Sequence, residues 1–494
     1  MKLIDLIKNT GVTGSVSNTL CDMEVADVCT DSRKCTRGSL FIAVKGAATD
    51  GHKYIPDAIE NGASVVLYED GAEIDQYRKD DVVFIPVRDG RVAEAIAAKN
   101  FYKDPTSCIK LIGVTGTNGK TSIATLLYTL FRNLGYECGL LSTIANFVGN
   151  RRYETINTTP GPVELNRLLA EMVDCGCEYC FMEVSSHALD QKRTEGLKFT
   201  GAIFTNLTHD HLDYHKTFAN YLAAKKRLFD TLDAGAFALT NEDDKNGLVM
   251  LQNCKARRYS YSCRTAADFK TKVIEKTIEG TLLNINGKEI WCRFIGLHNA
   301  YNITAVYGAA VILGMNEDEV AVGVSRLTAV SGRLEYFKGS NDIIAAVDYA
   351  HTPDALENVL KTLKDLNPAG DLVCVFGCGG DRDRTKRPEM GAIAGKYADK
   401  IVVTSDNPRS EDPMAIINDI KEGMDIKAKS RSNFIPDRGE AVRVAILNAK
   451  PGSIILVAGK GHEDYQIING VKHHLDDKEL IKNAFDELEL LAKA

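Results

Sequence analysis

The stretch GVTGTNGKTS, residues 113–122, has the residue types of a phosphate-binding loop. Gly116 and Gly119 would let backbone N–H groups approach phosphate oxygens, because no side chain stands in the way. Lys120 could reach the terminal phosphates of a nucleotide, and the hydroxyl of Thr121 could bind Mg²⁺. The apolar run before the loop and the amphipathic stretch after it predict a strand and a helix, whose N-terminus would attract the same anion.

The spacing of this loop differs from the common pattern G-x-x-x-x-G-K-[ST]. That pattern requires a glycine at 114, where Val114 stands, and Gly113 comes one place too early. A degenerate nucleotide loop, an ordinary glycine-rich turn and a different phosphate-binding design are the alternatives. The strand before it and the helix after it favour phosphate binding.

Glu183 and a histidine-rich stretch could supply metal ligands beside that loop. Glu183 lies at the end of the apolar run CFMEV, where a magnesium ligand or a water-orienting carboxylate belongs, although a plain surface glutamate is the alternative. The stretch TNLTHDHLDYH contains His209, His211 and His215. The three could bind zinc together, or one could bind magnesium while the others shape a polar loop. With a nucleotide site already predicted, we favour the second interpretation and choose His211 as the ligand.

A glycine-rich segment in the last third of the chain, VFGCGGDRDRTKRPEMG (375–391), could be mistaken for a dinucleotide loop. The pattern G-x-G-x-x-G would need a glycine at 382, where Arg382 stands, so a nicotinamide cofactor is disfavoured. The basic run that ends at Arg387 indicates that anions bind here. A solvated basic loop is the alternative.

Two further polar loops follow apolar runs in the same part of the chain. In TSDNPRSEDP (404–413), Arg409 could bind a carboxylate through two parallel hydrogen bonds, which lysine could not imitate. In AGKGHEDYQ (458–466), Glu463 could accept a hydrogen bond from an amine. Since the carboxyl ends of parallel strands meet at one edge of a sheet, we predict that the three loops form one site.

The bulk composition is that of an ordinary globular chain. It has 494 residues, 44% hydrophobic and 26% charged, with a net charge of −7, which argues against a nucleic-acid surface. The longest apolar stretches are too short to span a membrane, and the N-terminus lacks a signal-peptide pattern, so we expect a cytoplasmic protein without membrane insertion. The thirteen cysteines are expected to be reduced, and the cluster CGCEYC (175–180) lacks the second ligand pair of a structural zinc site.

The elements that must position these residues fall into three parts. Residues 1–105 alternate short strands and helices and predict a small N-terminal α/β domain. Residues 106–332 begin with the strand, loop and helix of the phosphate site and predict a P-loop ATPase-type α/β domain. Residues 333–494 alternate strands and helices again and predict a Rossmann-like domain with a doubly wound parallel sheet.

Taken together, the motifs resemble those of the Mur ligase family over essentially the whole chain. They are TGTNGKTS, NTTP, EVSSHALDQKR, TNLTHDHLDYH, HNAYNITA, GRLE, DYAHTPDALE, GCGGDRDRTKRPEM, DNPR and GKGHEDYQ, in the family's order. By this resemblance TGTNGKT is the family's own form of the phosphate loop. The motifs are most similar to members that add the third amino acid to the peptide of bacterial wall precursors.

The resemblance implies roles around ATP. The residues implied to contact ATP are Gly116, Thr117, Asn118, Gly119, Lys120, Thr121, Ser122, Asn302, Arg333 and Asp348. The implied ligands of Mg²⁺ are Thr121, Glu183 and His211. Lys120, Glu183 and His211 are the implied catalytic residues, together with a carbamylated lysine that YLAAKKRLF places at Lys225, beside Lys226.

It also implies two further substrate sites. The residues implied to bind the precursor UDP-N-acetylmuramoyl-L-Ala-D-Glu are Ser32, Asn157, Thr158, Thr159, Ser185, Gln191 and Arg193. The residues implied to bind the incoming amino acid are Arg387, Asp406, Asn407, Pro408, Arg409, Gly459 and Glu463. Because DNPR resembles the form that accepts meso-diaminopimelate, whose extra carboxylate suits Arg409, we predict that amino acid rather than lysine.

The implied reaction is an ATP-dependent ligation in peptidoglycan precursor synthesis. The precursor's carboxylate attacks the γ-phosphate, an acyl phosphate and ADP form, and the amine then displaces phosphate. A ligase that adds glutamate to folate and a nucleotide-switched binding protein are the rivals, but neither would be expected to carry both DNPR and GKGHEDYQ. We expect a monomer.

Overall fold

The computed structural model describes residues 1–14, 17, 20, 22–46, 49–155, 157–366 and 368–493. In these residues the strands form three large sheets and one hairpin, with helices between the strands. The predicted class, α/β with three domains, is confirmed. The predicted boundaries after residues 105 and 332 fall between sheets and remain predictions. None of the described helices has the length and apolar character needed to cross a membrane.

The N-terminal sheet has four parallel strands in the order β1-β2-β3-β4. The strands are β1 (Asp27–Cys29), β2 (Ser39–Ile42), β3 (Ala63–Glu69) and β4 (Val83–Val87). The helices given by the described residues are α1 (Leu3–Leu6), α2 (Ile55–Glu60) and α3 (Gly90–Phe101). β2 is buried along its whole length, as expected for a short apolar strand covered on both faces.

The central sheet has eleven strands in the order β15-β14-β13-β12-β11-β10-β5-β9-β6-β7-β8. The strands are β5 (Lys110–Thr115), β6 (Cys138–Leu141), β7 (Asn146–Val148), β8 (Arg151–Tyr153), β9 (Tyr179–Glu183), β10 (Gly201–Phe204), β11 (Phe237–Asn241), β12 (Arg257–Ser262), β13 (Phe269–Thr277), β14 (Gly280–Ile285) and β15 (Lys288–Cys292). The helices are α4 (Lys120–Asn133), α5 (Pro162–Asp174), α6 (Ser186–Asp190), α7 (Leu212–His215), α8 (Phe218–Asp230), α9 (Gly247–Met250), α10 (Leu297–Ile312) and α11 (Glu317–Ser325).

The middle of this sheet is parallel, and both of its edges are antiparallel. β6, β9, β5, β10, β11, β12 and β13 pair in parallel, whereas β7–β8 and β14–β15 add antiparallel strands at the two ends. Thr115 pairs with Phe204, and Val114 pairs with Glu183. β5, β9 and β10 therefore end side by side, so the phosphate loop, Glu183 and the histidine-rich stretch begin at one edge of the sheet.

The C-terminal sheet has six strands in the order β16-β17-β21-β18-β19-β20. The strands are β16 (Glu335–Lys338), β17 (Ile344–Asp348), β18 (Leu372–Phe376), β19 (Lys400–Val403), β20 (Ser432–Phe434) and β21 (Ile454–Ala458), followed by the hairpin of β22 (Tyr465–Ile468) and β23 (Val471–His474). The helices are α12 (Pro353–Asp365), α13 (Lys386–Tyr397), α14 (Pro413–Glu422), α15 (Ile426–Ser430), α16 (Arg438–Leu447) and α17 (Asp477–Lys493).

The register of this sheet brings the predicted loops together. Ala458 pairs with Asp348 on one side and with Phe376 on the other, and Phe376 pairs with Val403. Since only β16 runs antiparallel, the loops that follow β17, β18, β19 and β21 leave the sheet at the same edge. The sheet thus gathers the polar loops at its carboxyl edge.

Candidate active site

The loop between β5 and α4 has a backbone that requires glycine at two positions. Gly116 has a φ of 150° and Gly119 a φ of 89°. A β-carbon on Gly116 would lie 1.8 Å from Thr205 Oγ1, and one on Gly119 would lie 2.7 Å from Asn302 Oδ1. This close packing fixes the loop at the start of α4, where a helix N-terminus favours a bound phosphate.

Two lysines donate to the same carbonyl of that loop. Lys120 Nζ lies 2.8 Å from the carbonyl oxygens of both Gly116 and Thr117, and Lys225 Nζ lies 2.8 Å from the carbonyl oxygen of Gly116. Within the described residues neither lysine forms an ion pair with a carboxylate. Burial lowers the pKa of Lys120 and brings the pKa of Lys225 well below its usual range. An anion bound here would give both amines the partner that they lack.

The structure distinguishes Lys225 from its neighbour. Lys225 is 1% exposed, on the inner face of α8, with its amine 4.7 Å from the ring centre of Tyr221. Lys226 turns the other way and donates to the carboxylate of Asp230 and the carbonyl of Gln252. Only the first of the two lysines reaches the phosphate loop.

The three predicted magnesium ligands surround the loop from different elements. Glu183 is buried at the end of β9, and one of its oxygens accepts the backbone N–H of Thr143 at 2.7 Å. His211 precedes α7, and burial lowers its pKa to about 3, so its imidazole is neutral at neutral pH. Thr121 Oγ1 accepts a hydrogen bond from Arg333 at 3.0 Å.

The three histidines of residues 205–215 do not converge on one point. His209 Nε2 lies 3.6 Å from a carboxylate oxygen of Asp383, in the C-terminal domain. His215 is buried, with Nε2 3.0 Å from Ser186 Oγ. His211 Nε2 instead lies 3.3 Å from a carboxylate oxygen of its neighbour Asp210. The geometry therefore favours the interpretation in which the histidines have separate roles.

The donors fit Mg²⁺ as a partial ligand set. Among the described residues, no group of three or more His, Cys, Asp or Glu side chains is placed to hold a metal ion by itself. Mg²⁺ characteristically takes one or two carboxylates from the protein and completes its shell with substrate phosphates and water. A hydroxyl, one buried carboxylate and a neutral imidazole beside a phosphate loop match that requirement.

A cavity of about 300 Å³ opens between the phosphate loop and the C-terminal domain. The predicted ATP residues that line it are Asn118, Gly119, Ser122, Asn302, Arg333 and Asp348. The sequence analysis did not single out other residues that line it, among them His298, Tyr301, Tyr349, His351 and Asp354. All five lie inside the motifs HNAYNITA and DYAHTPDALE, so position within a motif was the signal that could have identified them.

Contacts across this cavity join the two domains. Asn118 Nδ2 donates to a carboxylate oxygen of Asp354 at 2.9 Å. Arg333 reaches back to the start of α4 and also lies 4.6 Å from the ring centre of Tyr349. Burial raises the pKa of Asp348 to about 6, while its oxygens accept two backbone N–H groups, at 2.7 and 2.8 Å. The cavity is therefore built from both domains.

Four of the predicted precursor-binding residues form one network beside Glu183. Thr159 Oγ1 donates to the backbone carbonyl oxygen of Glu183 at 2.8 Å and accepts the N–H of Ser185 at 3.1 Å. Arg193 donates to the backbone carbonyl oxygen of Thr159 at 2.7 Å and to Gln191 Oε1 at 2.7 Å.

Of the other predicted precursor residues, Asn157 and Thr158 directly precede Thr159, and Ser32 lies in the N-terminal domain. Thr158 accepts a hydrogen bond from Thr143 at 3.1 Å. The carbonyl of Asn157 accepts one from Thr155 at 2.7 Å. Ser32 is buried in a 3₁₀ turn of the N-terminal domain, and no hydrogen bond within the described part of the chain joins it to the network.

The loops after β19 and β21 bring the predicted amino-acid ligands together. Asn407 Nδ2 donates to Glu463 at 2.8 Å. A β-carbon on Gly459 would lie 2.5 Å from Asp406 Oδ2, a buried oxygen that has no hydrogen-bond partner among the described residues. Burial, reinforced by neighbouring Asp406, raises the pKa of Glu463. Arg409 is half-buried, and its Nη1 donates to the oxygen of Gly380 at 2.7 Å. Pro408 accepts the N–H of Glu411 at 3.0 Å.

Lys460 is a site residue that the sequence analysis missed. Its side chain is fully buried, and its ammonium lies 3.2 Å from Asn407 Oδ1 and 3.4 Å from Glu463 Oε2. It therefore holds both side chains in place. Its place inside the motif GKGHEDYQ could have identified it, but a lysine in such a loop could equally have been exposed.

Arg387 does not lie at the surface of the loops, contrary to the position expected from the basic run. Its guanidinium is fully buried and contacts Glu411 at 2.8 and 2.9 Å and Asp419 at 2.8 Å. This contact lowers the pKa of Glu411 to about 2. The guanidinium of Arg387 is thus already paired with two carboxylates of the chain. It connects the start of α13 to Glu411, just after the DNPR motif.

The fold and the phosphate loop define a multidomain nucleotide-binding α/β enzyme. Three sequence profiles match in the order of the three sheets. They are the "Mur ligase family, catalytic domain" at residues 24–102, the "Mur ligase middle domain" at 114–310 and the "Mur ligase, glutamate ligase domain" at 332–461. The chain belongs to the Mur ligase family, which confirms the resemblance of the motifs.

Similar proteins cover nearly the whole chain. UDP-N-acetylmuramoyl-L-alanyl-D-glutamate--2,6-diaminopimelate ligase of Parabacteroides distasonis is 52% identical, over 94% of this chain and 95% of its own. The ligase of the same name from Bacteroides thetaiotaomicron is 50% identical over 98% and 99%. A solved structure with that name has a TM-score of 0.68 at 31% identity and covers 99% and 100%. The MurF ligase of Thermotoga maritima in complex with ADP has the same fold, with a TM-score of 0.63 at 18% identity over 95% and 99%.

Proposed function

We propose that this chain joins meso-diaminopimelate to the glutamate of UDP-N-acetylmuramoyl-L-Ala-D-Glu with conversion of ATP to ADP and phosphate, a step of peptidoglycan precursor synthesis. The proposal rests on one observation. The sequence is similar, over at least 94% of the chain, to ligases whose names contain both substrates. The nucleotide cavity beside the phosphate loop supports the use of ATP. We place the reaction in the cytoplasm, with the chain as a monomer.

The reaction has two steps, and the chain's residues serve each. In the first, an oxygen of the precursor's carboxylate attacks the γ-phosphorus, and the bond to the ADP oxygen breaks. The ammonium of Lys120 neutralises charge on the phosphoryl oxygens, which is the main contribution of proteins to such transfers. Thr121, Glu183 and His211 would hold Mg²⁺, which when bound supplies further positive charge to the phosphates.

In the second step the amine of diaminopimelate attacks the acyl carbon, loses a proton, and phosphate leaves. Asn407 and Glu463, already hydrogen-bonded to each other, would hold that amine. Arg409 would bind the distal carboxylate of diaminopimelate, since a guanidinium matches a carboxylate with two parallel hydrogen bonds. Arg387 supports this site through Glu411, which follows two residues after Arg409.

The precursor would lie between the N-terminal and central domains. Thr159, Ser185, Gln191 and Arg193 form a preassembled polar surface beside Glu183. We propose that they hold the peptide end of the precursor, and that Ser32 approaches its uridine diphosphate.

Carbamylation of Lys225 is expected to be required for turnover. Only the neutral amine adds CO₂, and the burial that lowers the pKa of Lys225 favours that form. The resulting carbamate anion would pair with the ammonium of Lys120. Lys225→Ala should lower kcat by about 10- to 100-fold, the usual effect of losing a group that supports a metal site. ¹³C NMR of enzyme equilibrated with ¹³C-bicarbonate should show one carbamate signal that the variant lacks.

Lys226→Ala is the matched control for this prediction. Its partly exposed ion pair with Asp230 contributes little, so kcat should stay within about twofold and the carbamate signal should persist. A carbamate signal that disappears in Lys226→Ala instead would contradict the assignment to Lys225.

The proposed function is tested by a product assay by mass. Purified protein would receive Mg-ATP, the precursor, and either meso-diaminopimelate or L-lysine. A tripeptide product with diaminopimelate alone, and ADP released in equal amount, is the expected result. Product with lysine alone would overturn the choice of amino acid, and absence of product with either would overturn the ligation itself.

A further inference from the structure

A fully buried ion pair lies behind the amino-acid loops. Arg438 is the first residue of α16, and Asp477 is the first residue of α17. The guanidinium Nε and Nη2 atoms each donate to a different oxygen of the carboxylate at 2.7 Å, and both side chains are 0% exposed. Buried pairs of this kind are weak evidence for stability, because removing both charges from water offsets most of their attraction.

The same guanidinium also contacts two strand ends. Nη2 donates to the oxygen of Ala458 at 3.0 Å, and Nη1 contacts the oxygen of Ser405 at 3.4 Å. Ser405 directly precedes Asp406, and Ala458 directly precedes Gly459. Arg438 is thus hydrogen-bonded to the two loops that carry most of the proposed amino-acid ligands. Within the described part of the chain it makes no hydrogen bond to those ligands, although its charge acts on Asp406 and Glu463.

Planarity of the peptide bond transmits this contact into the site. The carbonyl of Ser405 and the N–H of Asp406 belong to one rigid unit, and the same holds for Ala458 and Gly459. Fixing the two carbonyls therefore fixes the direction in which each loop leaves the sheet. The fit is tight, because Asp406 Oδ2 lies where a β-carbon on Gly459 would come within 2.5 Å.

We propose that Arg438, held by Asp477, is a positioning residue for the amino-acid site. Its planar fork sets the spacing between the loop that begins at Asp406 and the loop that begins at Gly459, and this spacing is what diaminopimelate requires. Lysine cannot replace it, because one ammonium on a flexible stem cannot hold a carboxylate and two carbonyls in a fixed plane. This inference rests on the proposed function.

The test compares Arg438→Lys with a control on the same two helices. Arg443 of α16 makes an equivalent bidentate pair with Glu487 of α17, at 2.7 Å for both bonds, but this pair is partly exposed and touches neither strand end. Arg438→Lys should raise the KM for diaminopimelate about tenfold or more and leave the KM for ATP within about twofold. Arg443→Met should change neither.

A second variant and the wild-type enzyme complete the experiment. If Arg438→Lys does not fold, Asp477→Asn removes the charge that holds the guanidinium. It should likewise raise the KM for diaminopimelate and leave the KM for ATP within about twofold. Unchanged KM for diaminopimelate, or a proportional rise of both KM values, would overturn the inference in favour of a purely structural pair. Absence of product with the wild-type enzyme would instead overturn the proposed function on which the inference rests.

Discussion

Lys120→Met is expected to lower kcat by about 10³- to 10⁵-fold, the range found when a cation that neutralises a phosphoryl group is removed. Methionine keeps most of the volume of the side chain but cannot supply the charge at the start of α4. The effect should fall on kcat more than on ADP affinity, because backbone N–H groups of the loop still bind phosphate. Product formation by mass and ADP binding by calorimetry measure the two separately.

Lys110→Met is the control for this variant. Lys110 begins β5, the strand that leads into the loop, and its exposed side chain donates to the hydroxyl of Tyr179 at 3.0 Å. Its replacement should leave kcat within about twofold. Retention of a tenth or more of wild-type activity in Lys120→Met would contradict the role given to that lysine.

Arg409→Lys is expected to lower kcat/KM for diaminopimelate by about 10²- to 10³-fold. Losing one partner of a largely desolvated charge pair costs roughly 2–5 kcal/mol, and the second carboxylate of the substrate would lose its fork. Arg409 has a φ of 53°, so a lysine keeps the same backbone strain and the comparison isolates the guanidinium. Steady-state kinetics at saturating ATP, with L-lysine as a parallel substrate, provide the measurement.

Arg382→Lys serves as the control for Arg409. Arg382 lies on the neighbouring loop, is exposed, and donates to the oxygen of Asp381. Its replacement should change kcat/KM by less than about threefold. An Arg409→Lys enzyme that discriminates between diaminopimelate and lysine as well as the wild type does would show that another group reads the distal carboxylate.

The parts of the fold and site that could be predicted are those with a local signal. The apolar run before GVTGTNGKTS and the amphipathic stretch after it identified β5 and α4. The glycine-rich and polar loops after the C-terminal strands identified the edge at which they meet. In contrast, the antiparallel additions β7–β8 and β14–β15 were not anticipated, because their pairing depends on neighbours in the sheet more than on their own sequence.

Residues whose role depends on distant partners could not be assigned from sequence. Arg387 belongs to a basic run that indicates an anion site, but its carboxylate partners Glu411 and Asp419 lie 24 and 32 positions further along the chain. Arg438 lies outside the motifs identified in the sequence, and its partner Asp477 lies 39 positions away. Tertiary pairing of charges overrides the local pattern in both cases.

The cavity shared between two domains, where we propose that ATP binds, would make ATP affinity and domain orientation reciprocal quantities. Asn118 contacts Asp354, and His209 contacts Asp383, across the boundary that the nucleotide would span. By thermodynamic linkage, the free energy that the C-terminal domain adds to nucleotide affinity equals the free energy with which the nucleotide holds the two domains together. A change that weakens the interdomain contacts of the nucleotide-bound enzyme is therefore expected to lower its affinity for the nucleotide.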